Sequence, residues 1–477
     1  MAGIRTLPLI TLLGVLAACS GFGPATIGPF LLDVNGATAP AGPVGSTVIF
    51  QGSFFGSTQG SGQVLFTNAL GFTTLAAPIA NASDWGASAV VTTVPTGAIT
   101  GPVAVQANGL TSSAVIFTVA PTVSSPASFT PSAVTWAAGA NLPSAVSGAG
   151  VAFAQTTGYV YTVGGAGSGG APVASVNFAK VGMTGTIGTW AGTTNLTTAV
   201  AFPAAVIATR FNSAVLSTTG YLYVLGGATS SSGTSTALVY RATINANGTV
   251  GAWVPVTSLP AALHALSATI QYGSLYVVGG ATSTNAPQTT VYRAPIQQDG
   301  SIVTWLSQSF ALPAPRARLG LGASGLYLYA FGGDGTAVTP NDSVPSSAQV
   351  TTVYFAKLNP NTRDVATAWN PTTVLPDARS AHTAVFGAGS VLLTGGLYAG
   401  ASTHTSEAIY APLNADGTVG TFTTAAPGAS INSLCSCNLF NHSATGYLDG
   451  NGAFHVLIVG GDDVSAAGTR RVETFTY

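Results

Sequence analysis

Five histidines, three cysteines, 12 basic and 13 acidic side chains are all that this 477-residue chain offers for acid, base or metal chemistry. His264, His382, His404, His442 and His455 show no paired ligand spacing, so no metal centre is expected and no cofactor is implied. Cys435 and Cys437, in SLCSCNL, supply too few ligands for a metal and read as a disulfide candidate or as inert thiols. Hydrolysis of a glycosidic bond needs two carboxyl groups about 5 to 9.5 Å apart around that bond. Asp334, Asp377, Asp462 and Asp463 are the acids placed to attempt it. Asp462 and Asp463 do not serve as the pair, because neighbours in an extended segment point apart.

These residues gather around a repeated signal. Apolar alternating runs such as YLYVLGG (221–227) and LYVVGG (275–280) stop on two glycines. The pairs are Gly164/Gly165, Gly226/Gly227, Gly279/Gly280, Gly332/Gly333, Gly395/Gly396 and Gly460/Gly461, spaced by 53 to 65 residues. Sixteen residues before the first glycine stand Arg210, Arg316 and Arg379, with Leu263 and Gly148 in two other copies. That register reads as the start of a strand antiparallel to the diglycine strand, which puts the start of one and the end of the other on a single face. Asp334, Asp462 and Asp463, each just past a diglycine, join the arginines there. Arg210, Arg316, Arg379, Asp334, Asp462, Asp463 and His382 are therefore the ligand-binding candidates. The competing reading is that these charges satisfy each other and buried backbone at a crowded centre.

The elements that would position them recur with the same period. Each unit holds the strand ending in Gly-Gly, a strand centred on an aromatic (NFAKV, VYRATI, VYRAPI, VYFAKL, IYAPL) and a strand starting at Trp190, Trp253, Trp305, Trp369 or Phe422. The run before each diglycine strand supplies a fourth. Four short strands at this period are expected of a β-propeller blade, and the diglycine that closes the second strand resembles the Kelch repeat. Glycine suits that turn because strands crowd near the centre and positive φ is open to it. Trp136 with NLP at 141–143 reads as a lone outer strand that completes the sixth blade and removes an open edge. The turns MTGTIGTW, NANGTVGAW, QQDGSIVTW and NADGTVGTF resemble the Asp-box of sialidases, but an Asn-Gly or Asp-Gly hairpin explains them without chemistry. Galactose oxidase shares this kind of propeller, and its family's copper needs tyrosine, histidine and cysteine ligands that do not fit the cysteines and histidines here.

Residues 25–119 alternate in short β-like runs, among them STVIFQGSFFG, QVLFTN and GPVAVQA, separated by Gly, Asn and Pro. GSFFG at 52–56, Trp85, Val94 and Pro95, GPV at 101–103 and FTV at 117–119 resemble the IPT/TIG immunoglobulin-like family, whose domains space or present a neighbour and carry no catalytic residues. Residues 120–134, APTVSSPASFTPSAV, read as a linker. Residues 1–19 read as a signal: Arg5, an apolar run from Leu7 to Leu16, then Leu16, Ala17, Ala18 and Cys19, which resemble the bacterial lipobox. The resemblance implies lipidation at Cys19 and, with Ser20 following, outer-membrane sorting.

The net charge of −1 offers no clustered basic patch, so nucleic acid is not an expected partner. Beyond the N-terminus no stretch of ~18 apolar residues is uninterrupted, so membrane contact is expected only through the lipid. The sequence thus predicts an all-β chain: an Ig-like β-sandwich (25–119), then a six-bladed Kelch-type β-propeller (135–477). The expected function is non-catalytic recognition of a glycan or a protein partner at the cell envelope, by the face of the long loops after Gly333 and around Cys435. The alternatives are a polysaccharide-acting enzyme and a structural envelope component.

Overall fold

The computed structural model describes residues 29–34, 41–68, 73–112, 114–120, 137–182, 185–212, 217–297, 299–337, 339, 349–359, 362–387, 389–398, 407–414, 416–424, 439–448, 454–462 and 469–476. Among them the chain is all-β, with only two short 3₁₀ turns, Ala82–Asp84 and Ser168–Gly170. No helix of the described residues is long and apolar enough to cross a membrane.

Near the N-terminus, Phe30–Val34, Thr47–Ser53 and Ala89–Thr93 form one antiparallel sheet. A second runs in the order Ala41–Pro43, Val115–Ala120, Gly101–Ala107, Gln63–Thr67 and Thr73–Ala76, with its first pair parallel. Val48, Phe50 and Val90 from the first sheet and Val64, Phe66, Val105 and Phe117 from the second fill one core. Trp85 donates its indole N–H to the Phe55 carbonyl at 3.0 Å.

Six four-stranded antiparallel sheets follow. The first is Gly150–Ala154, Tyr159–Val163, Val176–Lys180 and Ala191–Gly192; the second is Ala204–Asn212, Ser217–Leu225, Val239–Ile244 and Val254–Val256. The third is Ser267–Gln271, Ser274–Val278, Val291–Pro295 and Leu306–Ser307; the fourth is Gly320–Ser324, Tyr327–Phe331, Val353–Lys357 and Asn370–Pro371. The fifth is Thr383–Gly387, Ser390–Thr394, Ala408–Pro412 and Thr423–Thr424. The sixth takes three strands from the end of the chain, Ser443–Leu448, Phe454–Val459 and Val472–Thr476, and its outer strand, Ala137–Ala138, from before the first sheet. The first strand of each sheet lies against the first strand of the next, and that of the sixth lies against that of the first.

The landmark aromatics hold the outer edges. The indole N–H groups of Trp190, Trp253, Trp305 and Trp369 donate to the carbonyls of Ala140, Thr194, Thr257 and Phe310, each beside the outer strand of the preceding sheet. Phe422 fills the same place with no donor. The Asn-Gly and Asp-Gly turns close hairpins, with Asn247, Asp299 and Asp416 accepting from the backbone two residues on. The side-chain hydroxyls of Ser301 and Thr418, and then these backbone hydrogen bonds, hold the Asp299 and Asp416 carboxyls below their usual range. The turns also latch neighbours: the Tyr161, Tyr223 and Tyr447 hydroxyls donate to the carbonyls of Gly248, Gly300 and Gly185.

Candidate functional site

Pairings such as Ser267 with Val278 and Thr383 with Thr394 bring the start of each first strand to its diglycine. At this end two circuits of backbone hydrogen bonds join all six sheets. In one, the second glycine donates to the next sheet: Gly165 to Val200, Gly227 to Leu263, Gly280 to Arg316, Gly333 to Arg379, Gly396 to Leu439, and Gly461 back to Val146, at 2.8 to 3.0 Å. In the other, Phe202 donates to Gly148, Ala265 to Phe202, Arg318 to Ala265, Ala381 to Arg318, Asn441 to Ala381 and Gly148 to Asn441, at 2.7 to 3.1 Å. All six residues of this inner circuit have φ between +49° and +53°. Five of them are not glycine, and each accepts a left-handed cost of about 1 to 2 kcal/mol.

The diglycine has two physical reasons. Gly279 has φ +65°, and a Cβ there would lie 2.4 Å from the Arg316 carbonyl oxygen; Gly280, at φ +99°, is in a region no L side chain tolerates well.

Inside the circuits is a cavity of about 190 Å³ bounded by six equivalent segments, 148–151, 202–205, 265–268, 318–321, 381–384 and 441–444. Gly, Ala and short side chains dominate its wall. Phe202, Pro203 and Leu266 form an apolar arc, while Arg318, His382, Asn441 and His442 stand on the side of the fourth to sixth sheets.

The anticipated residues are not brought together in that cavity. Arg316 and Arg379 start equivalent turns, but both side chains are buried within their own sheets. Arg316 donates to Thr352 Oγ1 and the Pro315 carbonyl, both at 2.8 Å, and lies over the Tyr354 ring. Burial lowers its pKa. Arg379 reaches Glu407 at 3.1 Å and Asp377 at 3.9 Å and lies over the Tyr398 ring. Removing either would empty a buried position. Arg210 does not share their register. The first hairpin of the second sheet runs on to Asn212, and Arg210 pairs with Thr219 far along it, so a fixed count of sixteen residues stops inside the hairpin, short of Val200, which accepts from Gly165 as Arg316 accepts from Gly280. Its side chain lies outside the described residues, as do Asp463, Cys19, Cys435 and Cys437.

Asp334 is fully buried against Arg318, with Nε to Oδ2 at 2.7 Å, and accepts from Gln349 Nε2 at 3.2 Å. Gln349 also reaches Ser380 Oγ at 3.4 Å, which carries the network from the fourth sheet to the fifth. Asp462 accepts from Asn441 Nδ2 at 3.0 Å. Both acids past a diglycine are thus struts for a residue of the inner circuit. Arg318 and Asn441 were missed in the sequence, and no common spacing marks them, since the intervals from 318 to 334 and from 441 to 462 differ.

His382 and His442 occupy the place that Leu266 and Leu319 hold two sheets earlier, wedged over the first glycine of the preceding sheet. His442 Nε2 meets the Thr394 and Thr383 hydroxyls at 3.0 and 3.2 Å. Among the described residues the ring nitrogens of His382 have no hydrogen-bond partner. Burial, then the nearby Arg379 and His442, pushes His382 down to about 3, and burial pushes His442 down to about 4. Both rings are neutral at pH 7. Among the described residues no three His, Cys, Asp or Glu side chains converge as a metal site. No family model matches this chain, and no curated protein matches it.

Proposed function

We propose that this chain is a non-catalytic binding protein of the bacterial cell envelope, lipid-anchored at Cys19 and sorted to the outer membrane. In this reading an IPT/TIG-like, Ig-like β-sandwich carries a six-bladed Kelch-type β-propeller, whose diglycine face recognises a glycan or a protein partner. The cyclic strand contacts, the two closed hydrogen-bond circuits and the N-terminal strand in the sixth sheet support the propeller.

One observation carries the choice of face. The two longest connections at the diglycine end, from Phe331 to Val353 and from Thr424 to Ser443, join strands of the fourth to sixth sheets, the same side that holds the buried Arg318, Asp334, Gln349 and Ser380 network. Long loops on a frame stiffened beneath them are a common binding arrangement. Binding is favoured over hydrolysis because Asp334 and Asp462 are engaged as struts, while a glycosidase needs two carboxyl groups addressed to substrate.

The test is a glycan array and a mouth-directed crosslinking screen, run with the full chain and with a variant whose segment 335–348 is replaced by the shorter 282–286 of the third sheet, which spares Asp334, Gln349 and Thr352. Selective capture lost in the variant at unchanged melting temperature supports the reading. Release of reducing ends from a captured polysaccharide, or no capture in either arm, would overturn it.

A further inference from the structure

Two backbone anomalies at the opposite end of the ring face the N-terminal sheets. In four sheets the residue closing the third-to-fourth-strand turn is a glycine with positive φ: Gly185, Gly248, Gly300 and Gly417. In the fourth sheet Arg363 does this work at φ +65°, its carbonyl accepting from Tyr276 just as those of Gly248 and Gly300 accept from Tyr161 and Tyr223. The second anomaly is the two-residue turn between Gln271 and Ser274, where both central residues have positive φ and the first is Tyr272, at +48°. Such a turn favours Asn or Gly there.

The Arg363 side chain and the Tyr272 backbone meet the same neighbour, while the Tyr272 hydroxyl donates to the Gly325 carbonyl at 2.5 Å. Arg363 Nη2 donates to Gln51 Oε1, and Gln51 Nε2 donates back to the Tyr272 carbonyl at 3.3 Å. Around them Ile49, Ala89 and Val91 pack in one cluster with Tyr272, Tyr276 and Leu328. Ile49, Gln51 and Val91 lie on the face of their sheet turned away from its own core, where Val48, Phe50 and Val90 point. A free-standing sheet would leave that face in water. Here it is buried, which explains the short apolar runs VIF (48–50) and AVV (89–91) inside otherwise alternating strands.

We propose that Arg363 and Tyr272 form a dedicated seat that clamps the N-terminal sheets rigidly to the third and fourth sheets, at the end away from the diglycines. The N-terminal sheets then fix the direction in which the diglycine mouth points, away from the chain's N-terminal side. This holds whatever the mouth binds.

The test uses the full chain, small-angle X-ray scattering and calorimetry, with Arg363→Gly, Gln51→Ala and the double variant. Arg363→Gly installs the residue that four other turns carry, so the ring should keep or raise its own melting temperature. The expected result is one transition and a compact particle for the parent, and two transitions with a larger radius of gyration for the double variant. Gln51→Ala, which leaves the ring untouched, should move both readouts in the same direction by less. Two independent transitions in the parent, or a double variant with the parent's scattering curve and single transition, would overturn the clamp.

Discussion

Replacing His382 by leucine separates wedge from proton acceptor. Leu266 and Leu319 hold the equivalent place in the third and fourth sheets, so His382→Leu keeps the contact over Gly332 and removes two buried ring nitrogens that have no hydrogen-bond partner among the described residues. An unmet buried polar group costs about 1 to 3 kcal/mol, so at pH 7 the variant should match or exceed the parent by up to that amount. The larger effect is in acid. The folded pKa is depressed from 6.5 to about 3, so the unfolded chain binds a proton that the folded one refuses. His382 therefore contributes stability fully present above pH 6.5 and lost as pH falls toward 3. Between pH 6.5 and 4 that loss is about 3 kcal/mol, at about 1.36 kcal/mol for each pH unit. Urea denaturation from pH 4 to 8 measures it: the parent should lose stability through this window more steeply than the variant, by about one proton. Coincident acid limbs would refute the argument that His382 is a neutral spacer.

Glu473 gives the opposite limb. Burial raises it from 4.5 to about 7 against the pull of Arg471, so its contribution is complete below pH 4.5 and lost as pH rises through 7. The loss is about 3 kcal/mol, which Glu473→Gln should abolish in denaturant midpoints compared at pH 5 and 8. Asp334→Ala should cost about 3 to 5 kcal/mol by stranding Arg318, and Arg318→Met with Asp334→Leu should recover most of it in the same assay. Gly279→Ala should lower stability by at least ~2 kcal/mol, read as a drop in melting temperature, because the left-handed backbone and the Arg316 carbonyl both oppose a methyl group.

The repeat was legible wherever a single residue type meets the physical demand. No Cβ fits at Gly279, and only an indole both fills the rim and reaches the carbonyl of Thr194 or Thr257, so glycine pairs and tryptophans survive as visible marks. The inner circuit was invisible because it is made by backbone groups, which leaves Gly148, Phe202, Ala265, Arg318, Ala381 and Asn441 free to differ. The candidate site was half legible for the same reason. Asp334 and Asp462 were placed at the correct end by their position after a diglycine, yet their partners sit on the circuit that has no sequence mark. Arg210 was misplaced because a constant offset assumes a constant hairpin, and the second sheet lengthens its own. Gln51 gave no sign of its role, since a polar residue on an alternating strand ordinarily faces water.

The sixth sheet also sets the order in which this chain can finish folding. Its outer strand, at Ala137 and Ala138, pairs with Thr474 and Glu473, so the last contact of the ring joins residues separated by almost the whole repeat region. Sheets one to five use local hairpins and can form as soon as they are made, but the inner circuit cannot close until Asn441 arrives, nor the outer until Gly461 does. Until then an unfinished chain carries two exposed strand edges that fit each other, and another copy's edges equally well. Deletion of Val472–Thr476 should therefore make the chain swap strands between copies rather than merely shorten it.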